Sequence, residues 1–600
     1  MILQSLAGYY DRLAEQDQKH RENLTPVLGF SNENVGGCIV LQEDGSVFGF
    51  RPFTTTVPVA QTKGKKPKEK ILKFRLLLVP LPPKRTSGVA PCFLCDNADY
   101  LFGQGKKGNE KLSSARTLHH QVLDGLADAG ARAVLAFFDK PHPELAALDA
   151  PPDGKLVFAL KAQPTHVHDA PAVQNAWSAH CERAQTQDAH IGQCLITGEE
   201  APIAALHPGI PGFGQDKPSI VGFNQPAFRS YGKEQGLNAP VSEKAAFRYT
   251  TALSALMRDR SHKFRLGADT VVFWAVSEKP NEEEVMAGFF SEEEPEGSGK
   301  TTLEADDQAA RTIGDDLATI YKGKSPRGDT LDKTAEFCLL SLTNNKTRMV
   351  IRFFLRQSFG EILNHYAAHL EDIRLASADG NDRVISPKQI LRASAVNHDF
   401  KNIPPNLESA LMRAIFTGGR YPEALYNAML NRVRAGERMD RVRVGMIKAI
   451  LNRNWKGEMG LSLSKEDKNI GYLLGRVMAV MEAAQKALMP RANATVLDRY
   501  LNSAMSSPGS VYNIIIANFN KHIASLKKKD NKRGFAIKYE EWLREIMDGI
   551  SSEGFPKVLT QDEQGRFIIG YYHQQQAIYQ AKALPEDVDA NDDDIEEDAN

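Results

Sequence analysis

The sequence predicts an α+β protein: a mixed α/β N-terminal region followed by an all-helical C-terminal bundle. Three observations carry this reading. Short apolar runs rich in β-branched and aromatic residues, such as 71–79 and 270–276, recur through the first half, some of them around turn residues. Beyond Phe359 such runs largely stop, and apolar residues return at helical spacing instead. A chain of 600 residues is also too long for one core. The expected divisions are a mixed region over 1–357, a helical middle over 358–469, a C-terminal helical bundle over 470–585 and an acidic tail over 586–600.

The elements follow in order. Leu3, Leu6, Tyr9, Tyr10 and Leu13 share one face of a helix over 1–18. The runs 38–41 and 47–50 flank Asp44-Gly45, a hairpin signature. A cationic loop with Lys63, Lys65, Lys66, Lys68 and Lys70 precedes a strand over 71–79, and 81–108 is irregular. A helix is expected over 111–129, buried strands over 133–138 and 156–160, and a helix over 172–184. Loop-rich stretches 194–218 and 222–242 lead into a helix around 243–258 and a strand over 270–276. Glu282, Glu283, Glu284, Glu292, Glu293, Glu294 and Glu296 mark a solvated loop over 281–300. A helix over 303–321 and a hairpin of 337–342 with 349–354 complete the mixed region. Helices are then expected at 359–374, 387–394, 405–417, 421–435, 439–453, 470–488, 494–506, 510–527, 537–549 and 571–582, without the fixed period of a solenoid.

Composition narrows the function. No run of eighteen apolar residues exists, so no spanning helix is expected, and the N-terminus lacks the basic start and cleavage site of a secretion signal. Six cysteines without a regular framework point to a reducing, cytoplasmic compartment. The formal net charge of −1 hides an asymmetry: nine acids and no base lie in 586–600, so 1–585 carries +8. A basic body with a disordered acidic tail suits a polyanionic partner.

Several motifs fall short of chemistry. Gly297-Ser-Gly-Lys-Thr-Thr302 resembles the end of a phosphate-binding loop, but Glu294 stands where its first glycine belongs. His166, His168 and Asp169 have the residue types of a metal cluster, yet no further ligand set follows at a convincing position. A metal-dependent nuclease built on these three is the enzymatic alternative. Cys92-x-x-Cys95 is half of a zinc knuckle without its second pair and reads as half-buried packing thiols. His119-His120 and Asn397-His398-Asp399 lack partners for acid–base work.

Basic stretches persuade more. Besides 63–70, cations crowd 432–456 (Arg432, Arg434, Arg438, Arg441, Arg443, Lys448, Arg453, Lys456) and 521–533 (Lys521, Lys527, Lys528, Lys529, Lys532, Arg533). Such groups position a phosphate backbone without reading sequence. Reading needs the mixture found in 222–242. There Phe223, Phe228 and Tyr231 lie among Asn224, Gln225, Gln235 and Asn238, with Arg229, Lys233 and several glycines.

Four segments together resemble a known family. They are Ile2-Leu-Gln-Ser-Leu-Ala-Gly-Tyr-Tyr-Asp-Arg-Leu, Pro91-Cys-Phe-Leu-Cys-Asp-Asn97, Cys194-Leu-Ile-Thr-Gly-Glu-Glu-Ala-Pro-Ile-Ala-Ala-Leu-His-Pro208 running on to Phe213, and 223–242. They resemble the large subunit of the type I-C CRISPR Cascade surveillance complex over essentially the whole chain except the tail. The resemblance implies a non-catalytic subunit of an antiviral ribonucleoprotein, without cofactor or metal. It would detect the protospacer-adjacent motif in double-stranded target DNA, help R-loop formation and dock a helicase–nuclease. Its implied partners are guide CRISPR RNA, the Cascade backbone and handle-binding subunits, and a small subunit; no membrane is involved. A scaffold that holds only guide RNA is a second alternative. The C-terminal part is expected to be made separately as the small subunit, starting near Met478 or Met481.

Chemistry and position select Asn224, Lys233 and Asn238 as DNA-facing, with the three aromatic residues anchoring the loop in the core. Lys63, Lys65, Lys66, Lys68, Arg432, Arg434, Arg441, Arg443, Lys527 and Lys528 are the expected nucleic-acid backbone contacts. Cys194 and His207 are expected to fix the fold of their own loop.

Overall fold

The computed structural model describes every residue except 21–24, 60–67, 84–87, 149, 164, 187–189, 214–216, 224, 260, 277–280, 291–331, 346–347, 377–384, 405, 551–553 and 584–600. The phosphate-loop-like segment, the expected helix over 303–321 and the acidic tail therefore lie outside the described residues. The described residues of Met1–Arg260 and Asn344–Val350 form one compact unit; those of Ser261–Glu292, Thr301–Thr343 and Ile351–Asn600 form a second.

In the first unit the long strand β1 (Phe30–Leu41) organises a mixed sheet. It pairs antiparallel with β2 (Val47–Pro52) and β5 (Arg75–Pro80) and parallel with β7 (Lys155–Leu160), which in turn pairs with the short β6 (Cys95–Asp96). Gly45 turns the expected β1–β2 hairpin at φ 86°, a conformation that favours glycine. β3 (Thr55–Val59) and β4 (Lys68–Leu72) form a separate ribbon. The single strand expected over 71–79 is thus two strands in different sheets.

Helices α2 (Ala98–Phe102), α3 (Gly108–Leu123), α4 (Ala129–Asp139) and α5 (Pro171–Thr186) accompany this sheet. The core they share holds Phe93, Phe137, Phe158 and Trp177, with Phe93 stacked on Trp177 at 4.7 Å. Here the run 133–138, expected as a strand, is helical. Asp128 caps the helix by accepting from the Ala131 N–H at 2.9 Å, and alanine-rich residues 129–136 favour that form. A short apolar run does not reveal its period, which is why the sequence misled. The first unit also contains α1 (Ile2–His20), held to α6 (Glu243–Arg258) by the Asp11–Arg248 ion pair and by Tyr10 edge-on to Phe247 at 5.9 Å.

The second unit contains an antiparallel sheet, β10 (Lys263–Leu266), β11 (Asp269–Val276) and, apart from residues 344–350, β12 (Glu336–Asn345) and β13 (Arg348–Ser358), paired in that order. Helix α7 (Asn281–Phe290) replaces the start of the expected solvated loop. Glu282 and Glu283 are buried because their carboxylates accept the Asp332 and Ala275 N–H groups at 3.0 and 2.7 Å.

Ten helices follow among the described residues: α8 (Phe359–Ile373), α9 (Pro387–Ser394), α10 (Leu407–Thr417), α11 (Glu423–Arg434), α12 (Arg441–Trp455), α13 (Ile470–Leu488), α14 (Val496–Ser506), α15 (Tyr512–Lys527), α16 (Arg533–Met547) and α17 (Gln561–Ala583). The fold class is that expected, mixed sheets with helices followed by a helical C-terminal region. One core runs through this unit, from the β10–β13 sheet to Ile578 of α17.

Helices α13 and α17 touch backbone to backbone. A Cβ on Gly471 would sit 2.1 Å from the Glu563 carbonyl oxygen, one on Gly475 2.0 Å from that of Phe567, and one on Gly570 2.2 Å from that of Tyr472. Around this contact Tyr472 Oη meets His573 Nδ1 at 3.0 Å, and Arg476 Nε donates to Gln574 Oε1 at 3.0 Å.

Gly475→Ala should cost about 1–3 kcal/mol or more by overpacking. Gly534, where an added Cβ would meet nothing within 4 Å, should accept alanine with no loss. Urea unfolding of both variants checks the contrast; equal midpoints would discount the close helix contact. Stability should also depend on acid. Burial lowers the pKa of His119 to about 4, and burial also lowers those of His369 and His573 to about 3. Neutral in the fold and protonated when unfolded, these groups support the fold above about pH 6.5, and that support is lost as pH falls toward 4. Urea midpoints compared at about pH 7 and about pH 5 should drop at the lower value.

Candidate nucleic-acid interface

The segment after α5 is built on the small hairpin of β8 (Ile191–Gln193) and β9 (Glu200–Pro202). Cys194 closes it: its N–H donates to the Glu199 carbonyl at 2.9 Å, and its Sγ accepts the Ser242 and Ile196 N–H groups at 3.2 and 3.4 Å. Burial raises this thiol's pKa, but the hydrogen bonds from Ser242 and from the Thr197 and Ile196 backbones outweigh it and bring the value down to about 7. Only 1% exposed, Cys194 ties the hairpin to the start of α6. His207 is buried against Tyr249, with its Nδ1 at the phenolic oxygen, and burial lowers its pKa to about 4. These bonds give both residues structural roles.

The loop 222–242 leaves this base and returns to Ser242, the cap of α6. Two short 3₁₀ turns, Pro226–Phe228 and Gln235–Asn238, shape it. Asn238 is its staple: Oδ1 accepts the Ser230 N–H at 2.9 Å, while Nδ2 donates to the Lys233 and Gln235 carbonyls at 3.1 and 3.0 Å. Those three bonds engage both ends of the amide, so Asn238 shapes the loop rather than presenting a free amide to a base edge. Arg229 pairs with Glu234 at 2.8 Å. Phe228 is half-buried beneath the Arg348 guanidinium, 4.5 Å from the ring centre.

Tyr231 differs from the anchoring role expected of it. It is 100% exposed, at φ 52°, next to Gly232 at φ 68°. Two successive left-handed residues turn the chain there and aim the ring outward. Lys233 is exposed beside it. Asn224 lies outside the described residues.

The expected backbone contacts separate by environment. Lys63, Lys65 and Lys66 lie outside the described residues, and Lys68 begins β4. Arg443 is corrected: it is 1% exposed, with its guanidinium held by Glu437 and Asp440, and no phosphate reaches it in this fold. Arg432 lies 3.6 Å from Glu437, Arg434 bonds Gln564 and Asn431, and half-buried Arg441 donates to the Leu375 carbonyl at 3.3 Å. Lys448 of the same stretch is buried and Arg453 pairs with Asp372. Sequence alone read these cations as one surface, because charge patterning does not reveal which side of a helix meets acids. The 521–533 group is more open: Lys527 pairs with Glu540 at 2.7 Å, whereas Lys521, Lys528, Lys529 and Arg533 are exposed.

The paired cysteines and His119 are accounted for by packing. Cys92 and Cys95 are each 2% exposed, more deeply buried than expected, and all six cysteines are free thiols. Their turn is held by Asp96, which accepts the Cys92 N–H at 2.7 Å, and by His119, whose Nε2 accepts the Leu94 N–H at 3.0 Å. His166, His168 and Asp169 do come together, with ligand atoms within 4.8 Å of one another. Among the described residues no helix is long and apolar enough to cross a membrane.

The class of the protein follows from comparison with known families: it is a CRISPR-associated protein. Residues 6–579 match the family model described as CRISPR-associated protein (Cas_Csd1). The chain belongs to this family, that of the type I-C Cascade large subunit. No curated protein matches it.

Asn238→Ala should remove the loop's staple and cost about 1–3 kcal/mol of local order. Hydrogen exchange should speed up at the Ser230 amide, the one that donates to Asn238, without change in the core of α6; unaltered exchange there would show that the staple is dispensable.

Proposed function

We propose that this chain is the non-catalytic subunit that senses the protospacer-adjacent motif in duplex DNA within an RNA-guided surveillance complex. It would also assist strand opening and offer a docking surface to the helicase–nuclease. The observation that supports this most is the loop 222–242, which holds Tyr231 fully exposed beside Lys233 on a pre-shaped backbone. A rigid loop loses little order on binding, so its contacts translate efficiently into affinity. Lys233 supplies a charge for groove acceptors or phosphate, and Tyr231 a flat face that stacks on a base or enters a base step. Asn224 remains a proposed base contact, whereas Asn238 acts by holding the others.

Non-specific attraction falls to two cationic stretches. Lys63, Lys65 and Lys66, together with Lys521, Lys528, Lys529 and Arg533, are the proposed phosphate contacts, while Arg432, Arg434, Arg441 and Arg443 support the helices. Guide RNA, target DNA and the other Cascade subunits are the proposed partners.

The same reading includes separate production of the C-terminal helices as a small subunit, for which we propose a start upstream of Met478. Met478 and Met481 are 0% and 2% exposed in the middle of α13. A product beginning there would lack the Asn469 cap, Gly471, Tyr472, Gly475 and Arg476, which make the contact with α17. No methionine lies between 460 and 477, so Met459 is the nearest start that keeps α13 whole.

Three measurements test these proposals. In the assembled complex, Lys233→Ala and Tyr231→Ala should each weaken binding to motif-bearing duplexes by about 1–3 kcal/mol. Unchanged discrimination between duplexes differing only in the motif would remove this loop from the reading site. Replacing Lys528 and Lys529 with alanine should weaken binding to all duplexes alike and flatten its salt dependence. Intact mass analysis of C-terminally tagged protein should show a short product starting at Met459; a product starting at Met478 would overturn that assignment.

A further inference from the structure

We propose that His166, His168 and Asp169 bind a divalent cation of the zinc type, fixing the turn that follows β7. The three residues occupy a short 3₁₀ turn, Val167–Asp169, with His166 as its cap. At least one possible ligand atom from each lies within 4.8 Å of the others. His166 Nδ1 is 3.2 Å from Asp169 Oδ2, and His168 Nε2 is 3.6 Å from Asp169 Oδ1. The two imidazoles lie parallel, 4° apart in plane and 5.2 Å between centres.

Capping explains only part of this arrangement. Asp169 accepts the His166 N–H at 3.0 Å, which accounts for those two residues. It does not account for His168, which is 2% exposed and whose Nδ1 is enclosed without a hydrogen-bond partner. Two polar groups beside this ring, the Asp169 carboxylate and the Leu78 carbonyl, are both acceptors. Whichever nitrogen carries the proton of the neutral ring, the lone pair on the other is therefore offered no donor by them. A buried lone pair without a donor is costly unless a cation takes it.

The surroundings fit a metal. The Asp169 carboxylate oxygens lie near one nitrogen of each histidine, so a single cation set among them can be shared by both rings and the carboxylate. The His166 ring is fixed edge-on to Phe53 at 5.9 Å, and the backbone of His166 bridges to Ala159 at the end of β7. Burial grades from His168 through His166 to half-exposed Asp169, so water can complete the shell on one side. Two nitrogens and one carboxylate oxygen suit zinc, cobalt or nickel, whereas magnesium and calcium prefer sets made wholly of oxygen. Three protein ligands and an open position also leave room for a bound water, though the proposed role is to hold the loop.

The test uses the full-length chain, stripped with a chelator and titrated calorimetrically with zinc chloride, with magnesium chloride as control. Cysteine binding is separated by comparing wild type with His166→Gln/Asp169→Asn, which leaves the buried His168 in place and every thiol unchanged. Wild type should bind one more equivalent of zinc than this variant, magnesium should not compete, and zinc should raise the melting temperature of wild type only. Equal zinc stoichiometry in both proteins, with matching circular dichroism spectra, would overturn the site. His168→Ala provides the second comparison: if it folds, it should bind zinc more than about tenfold more weakly than wild type. Undiminished binding by folded His168→Ala would overturn the assignment of His168 as a ligand.

Discussion

The second unit depends on how closely α13 and α17 can approach. Gly471, Gly475 and Gly570 remove the side chains that would otherwise separate the two backbones. Close contact increases dispersion over the whole length of the pair and leaves no room for compensating movement. It also brings polar groups together at fixed spacing. Arg476, 1% exposed, reaches Gln574 and Glu545, and Tyr571 donates to Glu482 at 2.6 Å. These buried charges are tolerable because each is paired. The remaining C-terminal helices gather around this pair, in a core continuous with that of α8–α12.

The same economy governs the cations. A basic stretch becomes a surface only where its charges lack internal acids. Along α11 and α12, Glu437, Asp440 and Asp372 neutralise arginines that help hold the helices. Near the α15–α16 turn the acids are fewer, and Lys521, Lys528, Lys529 and Arg533 face water. In the loop 222–242, Glu234 takes Arg229, while Lys233 and Tyr231 remain exposed. The division between groups that build the fold and groups available to a partner follows from local pairing rather than from charge count.

The sequence alone determined the class of the protein and most of its long elements. Strong periodicity located α1, α6, β11 and nearly all of α8–α16, because apolar spacing reports directly which face of a long segment is buried. Four specific segments carried the resemblance that the family match over 6–579 then established. The loop 222–242 was legible as a mixture of side chains with no place in a core. The start of α17 was missed by ten residues, since Gly565 and Gly570 weaken a helical signal; Gly570 is there because the neighbouring backbone is so near.

Tertiary structure alone decided which members of each group are available. Asn238 is engaged by three hydrogen bonds from its own loop, Tyr231 is expelled from the core by left-handed backbone, and Arg443 is enclosed by two acids. It likewise made a helix of 129–139 and buried Glu282 and Glu283. The physical reason is common to all of them. Burial and hydrogen-bond partnership depend on the conformation the chain takes, whether the partner is a few residues away, as for Asn238 and Arg443, or far off, as for Glu282 and Asp332, so composition and spacing can name the chemistry of a segment, and only the packed fold can say which groups are already occupied.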